Sequence, residues 1–98
     1  MNKTIELTIN VNEHDIKHGL IGVCHHCPIA RAVRRAVGNI TPGAVAVAPN
    51  GMSFKDDKGY WTAKTPERAK QFINDFDDRK EVKPIRFTVT FEQRPKAK

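Results

Sequence analysis

The chain has 98 residues, 39% of them hydrophobic and 29% charged, and its 17 Lys and Arg outnumber 11 Asp and Glu to give a formal charge of +6. That length suits one domain with a modest core of its own, and the apolar runs are too short to cross a bilayer. The basic balance favours polyanionic partners, although it also keeps a small protein soluble.

Met1-Asn2-Lys3-Thr4 runs directly into an alternating pattern, so no secretory leader is expected. The expectation is therefore a cytoplasmic protein with reduced thiols and no membrane partner. Ile5, Leu7, Ile9 and Val11 alternate with Glu6, Thr8 and Asn10, the signature of a strand with one buried face. Asn12 follows as a helix cap with Asp15 three residues on, predicting a short helical turn that reaches Gly19. Leu20-Ile21-Gly22-Val23 is an apolar connector expected to pack on the core.

The most distinctive stretch is Cys24-His25-His26-Cys27-Pro28, which leads into a basic amphipathic helix over Pro28–Val37. Proline suits the first helical position, and Gly38 suits the position just past the end. Ile29, Ala32, Val33, Ala36 and Val37 form the apolar face, while Arg31, Arg34 and Arg35 take the opposite one. Cys27 falls at or beside the N-cap, where a helix dipole stabilises a thiolate.

Beyond Thr41-Pro42-Gly43 the period changes. Ala44–Ala48 and Met52–Lys55 read as strands around the turn Pro49-Asn50-Gly51. Asp56-Asp57-Lys58-Gly59 reads as a second turn, before Tyr60–Ala63 as a short strand or ordered loop. Thr65-Pro66-Glu67 predicts a helix start, with Thr65 supplying the capping hydroxyl. Ala69, Phe72, Ile73 and Phe76 are the buried stripe, and the acids after them stop the helix near Asp77. Ile85, Phe87, Val89 and Phe91 define the last strand. The expected fold is α+β, an antiparallel sheet with two helices packed on one face in the order β-α-β-β-(β)-α-β. Residues 1–93 form the domain and 94–98 a basic flexible tail, with both terminal strands near the middle of the sheet.

Three site chemistries compete. All four histidines and both cysteines lie between His14 and Cys27. His14, His18, Cys24 and Cys27 make a nitrogen–sulfur set suited to tetrahedral zinc, although five residues between His18 and Cys24 leave little chain to wrap an ion. A two-cysteine motif at a helix start has the form of a thiol redox site, but Pro28 places both cysteines ahead of the helix and no strand–helix–strand unit precedes them. Arg31, Arg34 and Arg35 form a ridge able to contact phosphates, or else the wet face of a helix. Tyr60 and Trp61, between Lys58 and Lys64, are the aromatic–basic cluster for nucleic-acid or protein contact. Ser53 has no triad context and no glycine-rich phosphate loop is present, so hydrolase and nucleotide-binding chemistry lack support.

The run Asp15-Ile16-x-x-Gly19, followed by Cys24-x-x-Cys27-Pro28-Ile29-Ala30-x-Ala32-Val33, resembles small uncharacterised proteins encoded by phages and actinobacteria. Phe72-Ile73-x-x-Phe76-Asp77, Val82-x-Pro84 and Ile85-x-Phe87 are similar to the same group. The resemblance implies a shared small α+β fold and brings no activity or cofactor with it. Its pattern does not feature histidine at His14, His18, His25 or His26, which leaves the cysteine pair as the feature to explain. The expected function is a small non-catalytic binding protein, a phage accessory protein contacting a host protein or nucleic acid. A zinc-stabilised nucleic-acid-binding module and a thiol redox protein are the alternatives.

Overall fold

The computed structural model describes residues 3–38 and 40–94. Among the described residues, five strands and three helices follow in the order β1 (Thr4–Val11), α1 (Glu13–His18), α2 (Pro28–Val37), β2 (Val45–Ala48), β3 (Gly51–Asp56), β4 (Gly59–Ala63), α3 (Glu67–Asp77) and β5 (Ile85–Arg94), with a 3-10 turn at Pro42–Ala44 before β2. All strands form one antiparallel sheet in the order β1-β5-β4-β3-β2. The fold is thus α+β, as the periodicities predict. The terminal strands do pair, Thr4 opposite Glu92 through to Val11 opposite Ile85. However, β5 lies inside the sheet and β1 forms an edge, a correction to the expected central position of both. Arg94 belongs to β5 opposite Tyr60, so the strand runs one residue past the expected domain end, and residues 95–98 of the expected tail lie outside the described residues.

One buried cluster joins the layers. Ile9 and Val11 of β1, Val45 and Val47 of β2, Met52 and Phe54 of β3, and Phe87, Val89 and Phe91 of β5 face Ile29, Ala32 and Val33 of α2 and Ala69, Phe72, Ile73 and Phe76 of α3. Helix α2 touches both edge strands, β1 and β2. The opposite sheet face carries Thr4, Glu6, Thr8, Asn10, Arg86, Thr88 and Thr90, all exposed. That alternation is what an antiparallel sheet with one wet face requires.

Local chemistry explains the element ends. Asn12 and Asp15 make a reciprocal capping box: Asp15 N–H donates to Asn12 Oδ1 at 2.8 Å, and Asn12 N–H to Asp15 Oδ2 at 3.1 Å. At α2 the cap is Cys27, whose Sγ accepts from Ala30 N–H at 3.4 Å. The expected Thr65 cap is a correction, because α3 is entered through Pro66 with no side-chain cap. Thr65 instead donates its hydroxyl to the Ala48 carbonyl at 2.6 Å, tying the start of α3 to the end of β2. Gly19 packs so tightly against Pro28 that a β-carbon there would lie 2.6 Å from Pro28 Cδ. No helix among the described residues is long and apolar enough to cross a membrane.

Candidate functional site

The segment between α1 and α2 is a closed loop. Leu20 N–H donates to the His26 carbonyl at 2.8 Å, and His26 N–H to the Val23 carbonyl at 3.0 Å. The loop leans on the outer side of β2, where Val47 N–H reaches the Cys24 carbonyl at 3.1 Å and His25 Nδ1–H donates to the Val45 carbonyl. The expected packing of this connector on the core is not found. Leu20, Ile21 and Val23 are exposed, because the loop's backbone bonds turn them outward.

The two cysteines differ. Cys27 is buried and Cys24 is exposed, so the turn into α2 covers one thiol only. Both line a cleft of about 180 Å³ together with Val47, Ile73 and Asp77. Burial pushes the Cys27 thiol up, against the Ala30 and Ile29 N–H groups that would favour a thiolate. Desolvation therefore outweighs the helix terminus at this position, and the expected thiolate stabilisation fails. His14 and His18 sit elsewhere, on exposed turns of α1, with ring centroids 4.3 Å apart. Desolvation, then the charges of His14, Arg31 and Lys17, lower the His18 pKa. The set Cys24, Cys27, His14 and His18 is not brought together, and among the described residues no three His, Cys, Asp or Glu side chains gather around a common point. The physical reason is the closed loop, which carries Cys24 towards β2 and away from α1.

The arginine ridge is occupied by the protein itself. Asp15 is fully buried, and Arg35 grips both its oxygens, Nη1 to Oδ1 at 3.0 Å and Nη2 to Oδ2 at 2.7 Å. A further Arg35 bond reaches the Asn10 carbonyl at 2.8 Å. Arg31 Nε lies 3.6 Å from Asp15 Oδ1, and Arg34 Nε donates to the Ile40 carbonyl at 3.1 Å. Burial alone would raise the Asp15 pKa, but the Arg35 hydrogen bonds, the Asn12 amide and the charges of Arg35 and Arg31 hold it below its ordinary value. Sequence reading found Asp15 as a capping residue. It missed the ion-paired hub, since nothing local reveals that α1 and α2 lie side by side. The ridge expected to face solvent freely is in large part an internal clamp.

The aromatic pair also divides. Trp61 is buried, stacked on Phe54 with ring centroids 6.0 Å apart, and its Nε1–H donates to Asp56 Oδ1 at 3.1 Å. It is a core residue, because strand alternation sends it to the helix side. Tyr60 accordingly points to the uncovered face, with 48% of its surface exposed. The registers place Lys55 of β3 opposite Tyr60, and Tyr60 opposite Arg94 of β5. Lys55 and Arg94 therefore flank the ring on both sides in one cross-strand row. Arg94 Nε donates to Thr62 Oγ1 at 2.9 Å, and its Nη1 lies 3.8 Å from Glu92 Oε1. Neither Lys55 nor Arg94 stood out in sequence, because the row is assembled from three strands. Comparison of the chain with protein-family models, curated proteins and solved structures finds no match.

Proposed function

We propose that this chain is a small non-catalytic binding protein that takes single-stranded nucleic acid on the uncovered face of its sheet. The observation that carries the reading is the row Lys55–Tyr60–Arg94, an exposed aromatic ring between two cations on an open β-surface. Bases stack on such rings with little regard to sequence, at about 1–3 kcal/mol each, while the flanking cations meet the phosphates. Lys58 and Lys64 bracket the same strand, and the net charge of +6 draws a polyanion from a distance. In the setting that the phage resemblance implies, the protein acts as an accessory factor in a bacterial cytoplasm.

Fluorescence anisotropy with labelled oligothymidine and a matched duplex, across a salt series, tests the proposal. Single strands should bind more tightly than duplex. Tyr60→Ala should weaken binding by about tenfold, in line with the loss of one stacked base. Replacing Lys55 and Arg94 with glutamine should flatten the salt slope by roughly 0.7 for each phosphate no longer neutralised. No binding at low salt would sink the proposal. The second reading is a protein partner, favoured by the exposed loop side chains Leu20, Ile21 and Val23 beside the cysteine cleft. A partner held there would bind with shallow salt dependence and be lost on Ile21→Ser, with Tyr60→Ala silent.

A further inference from the structure

The two edges of the sheet are finished differently. On the β2 edge, the Cys24 carbonyl and the His25 ring occupy backbone groups of Val47 and Val45. On the β1 edge, two hydrogen bonds establish which residues face outward. Gln93 N–H of β5 donates to the Lys3 carbonyl at 2.8 Å, whereas the Asn10 carbonyl receives Arg35 from outside the sheet. Backbone groups alternate sides along a strand. Odd-numbered residues of β1 therefore bond to β5, and Thr4, Glu6, Thr8 and Asn10 present their N–H and C=O to the free edge. Arg35 covers Asn10. Thr4, Glu6 and Thr8 meet no backbone partner on that side among the described residues. The helix layer also stops short here: Ile9 and Val11 are buried, Leu7 is half-buried and Ile5 is 38% exposed.

We propose that this open half of β1 is the seam of a two-fold dimer, in which two copies of the chain join their sheets antiparallel with Ile5 on the axis. The strand's own residues select that register. Centring on Glu6 would set Glu6 directly opposite its symmetry mate, and like charges so placed are destabilising. Centring on Leu7 would bring Thr4 of the second copy against the Asn10 carbonyl, which Arg35 already fills. Centring on Ile5 pairs Thr4 with Glu6 of the second copy and the reverse, giving four N–H···O bonds clear of Arg35. It also sets the two Ile5 side chains in a non-hydrogen-bonded pair, the closer of the two antiparallel spacings. The apolar residue left uncovered by the helices is thereby covered by its mate. An isologous contact of this kind is the commonest route to a homodimer. The seam spans about five residues a side, well below the roughly 20–30 of a stable interface, so the dimer depends on concentration.

Sedimentation velocity from about 10 µM to 1 mM, a range suited to a small seam, reads the association directly. The wild-type sedimentation coefficient should rise towards that of a dimer. Ile5→Glu places like charges on the axis, and Thr4→Pro removes an outward N–H while sparing the bonds to β5. Both variants should remain monomeric over the whole range with unchanged circular dichroism. Amide exchange supplies a second measurement, with the Thr4 and Glu6 amides of wild type gaining protection as concentration rises. A wild type that stays monomeric at the top concentration overturns the proposal. A dimer that survives in both variants also overturns it, by assigning the contact to another surface.

Discussion

Asp15→Ala tests the ion-paired hub most directly. The carboxylate is fully buried, takes two guanidinium bonds from Arg35, and accepts the Asn12 amide in the capping box. Hydrogen bonds to a charged group contribute about 1.5–3 kcal/mol each, and removing one partner of a buried pair costs about 3–5 kcal/mol. Arg35 is 46% exposed and regains water once released, which favours the low end of that range. A loss of about 3 kcal/mol follows, a large share of the roughly 5–15 kcal/mol that holds a domain together. The melting temperature should fall by about 12–24 °C. The acid limb supplies an independent check. Asp15 has a pKa below its ordinary 3.8 in the folded protein, so its contribution is complete above that value and is lost as pH falls through the lower folded one. The stability deficit of Asp15→Asn should thus stay constant over about pH 5–8 and shrink below about pH 4. Urea titration followed by Trp61 fluorescence and far-ultraviolet circular dichroism measures both. An alanine variant melting within about 5 °C of wild type would refute the reasoning.

Gly19→Ala should destabilise by about 1–3 kcal/mol, since its β-carbon would press on Pro28 Cδ and on the Pro28 backbone nitrogen, and chemical denaturation checks this. Thiol titration should find one fast-reacting thiol in the native protein. That thiol is absent in Cys24→Ser, while Cys27 reacts only on unfolding, and two fast native thiols would contradict the burial of Cys27. Arg79 closes α3 with φ of 62°, in the left-handed region, so Arg79→Gly should leave stability unchanged or raise it by up to about 1 kcal/mol in a thermal melt.

Much of the framework was legible because it is written in local signals. The alternation in β1 and β5, the Cys27-Pro28 entry to α2, the end of α3 at Asp77 and the Asn12 cap are each decided within a few residues. What escaped depends on which elements become neighbours. Trp61 and Tyr60 are adjacent in sequence and equally aromatic, and only the direction of the sheet sends one to the core and the other to solvent. Leu20, Ile21 and Val23 read as core by composition, but the loop's internal bonds leave them outside. The arginines of α2 looked free because their acceptors, Asp15 and the carbonyls of Asn10 and Ile40, sit on other segments. The Lys55–Tyr60–Arg94 row emerges only once three strands are in register.

The pairing of β1 with β5 brings Thr4 beside Glu92, so the two strands farthest apart in the described sequence become neighbours. Until β5 is in place, β1 lacks the strand it pairs with among the described residues, and the cluster around Ile9 and α2 lacks Phe87, Val89 and Phe91. Closing so long a loop makes the β1–β5 pairing slow compared with the formation of the β2–β3–β4 hairpins. The same contact sets the start of β1 beside the end of β5, with the Lys3 carbonyl bonded to Gln93 N–H. A circular permutant with these ends bridged by a short linker, and new termini at the exposed Asp57-Lys58 turn, would turn the longest-range pairing of the fold into a hairpin. Such a chain should reach the same sheet by a faster route.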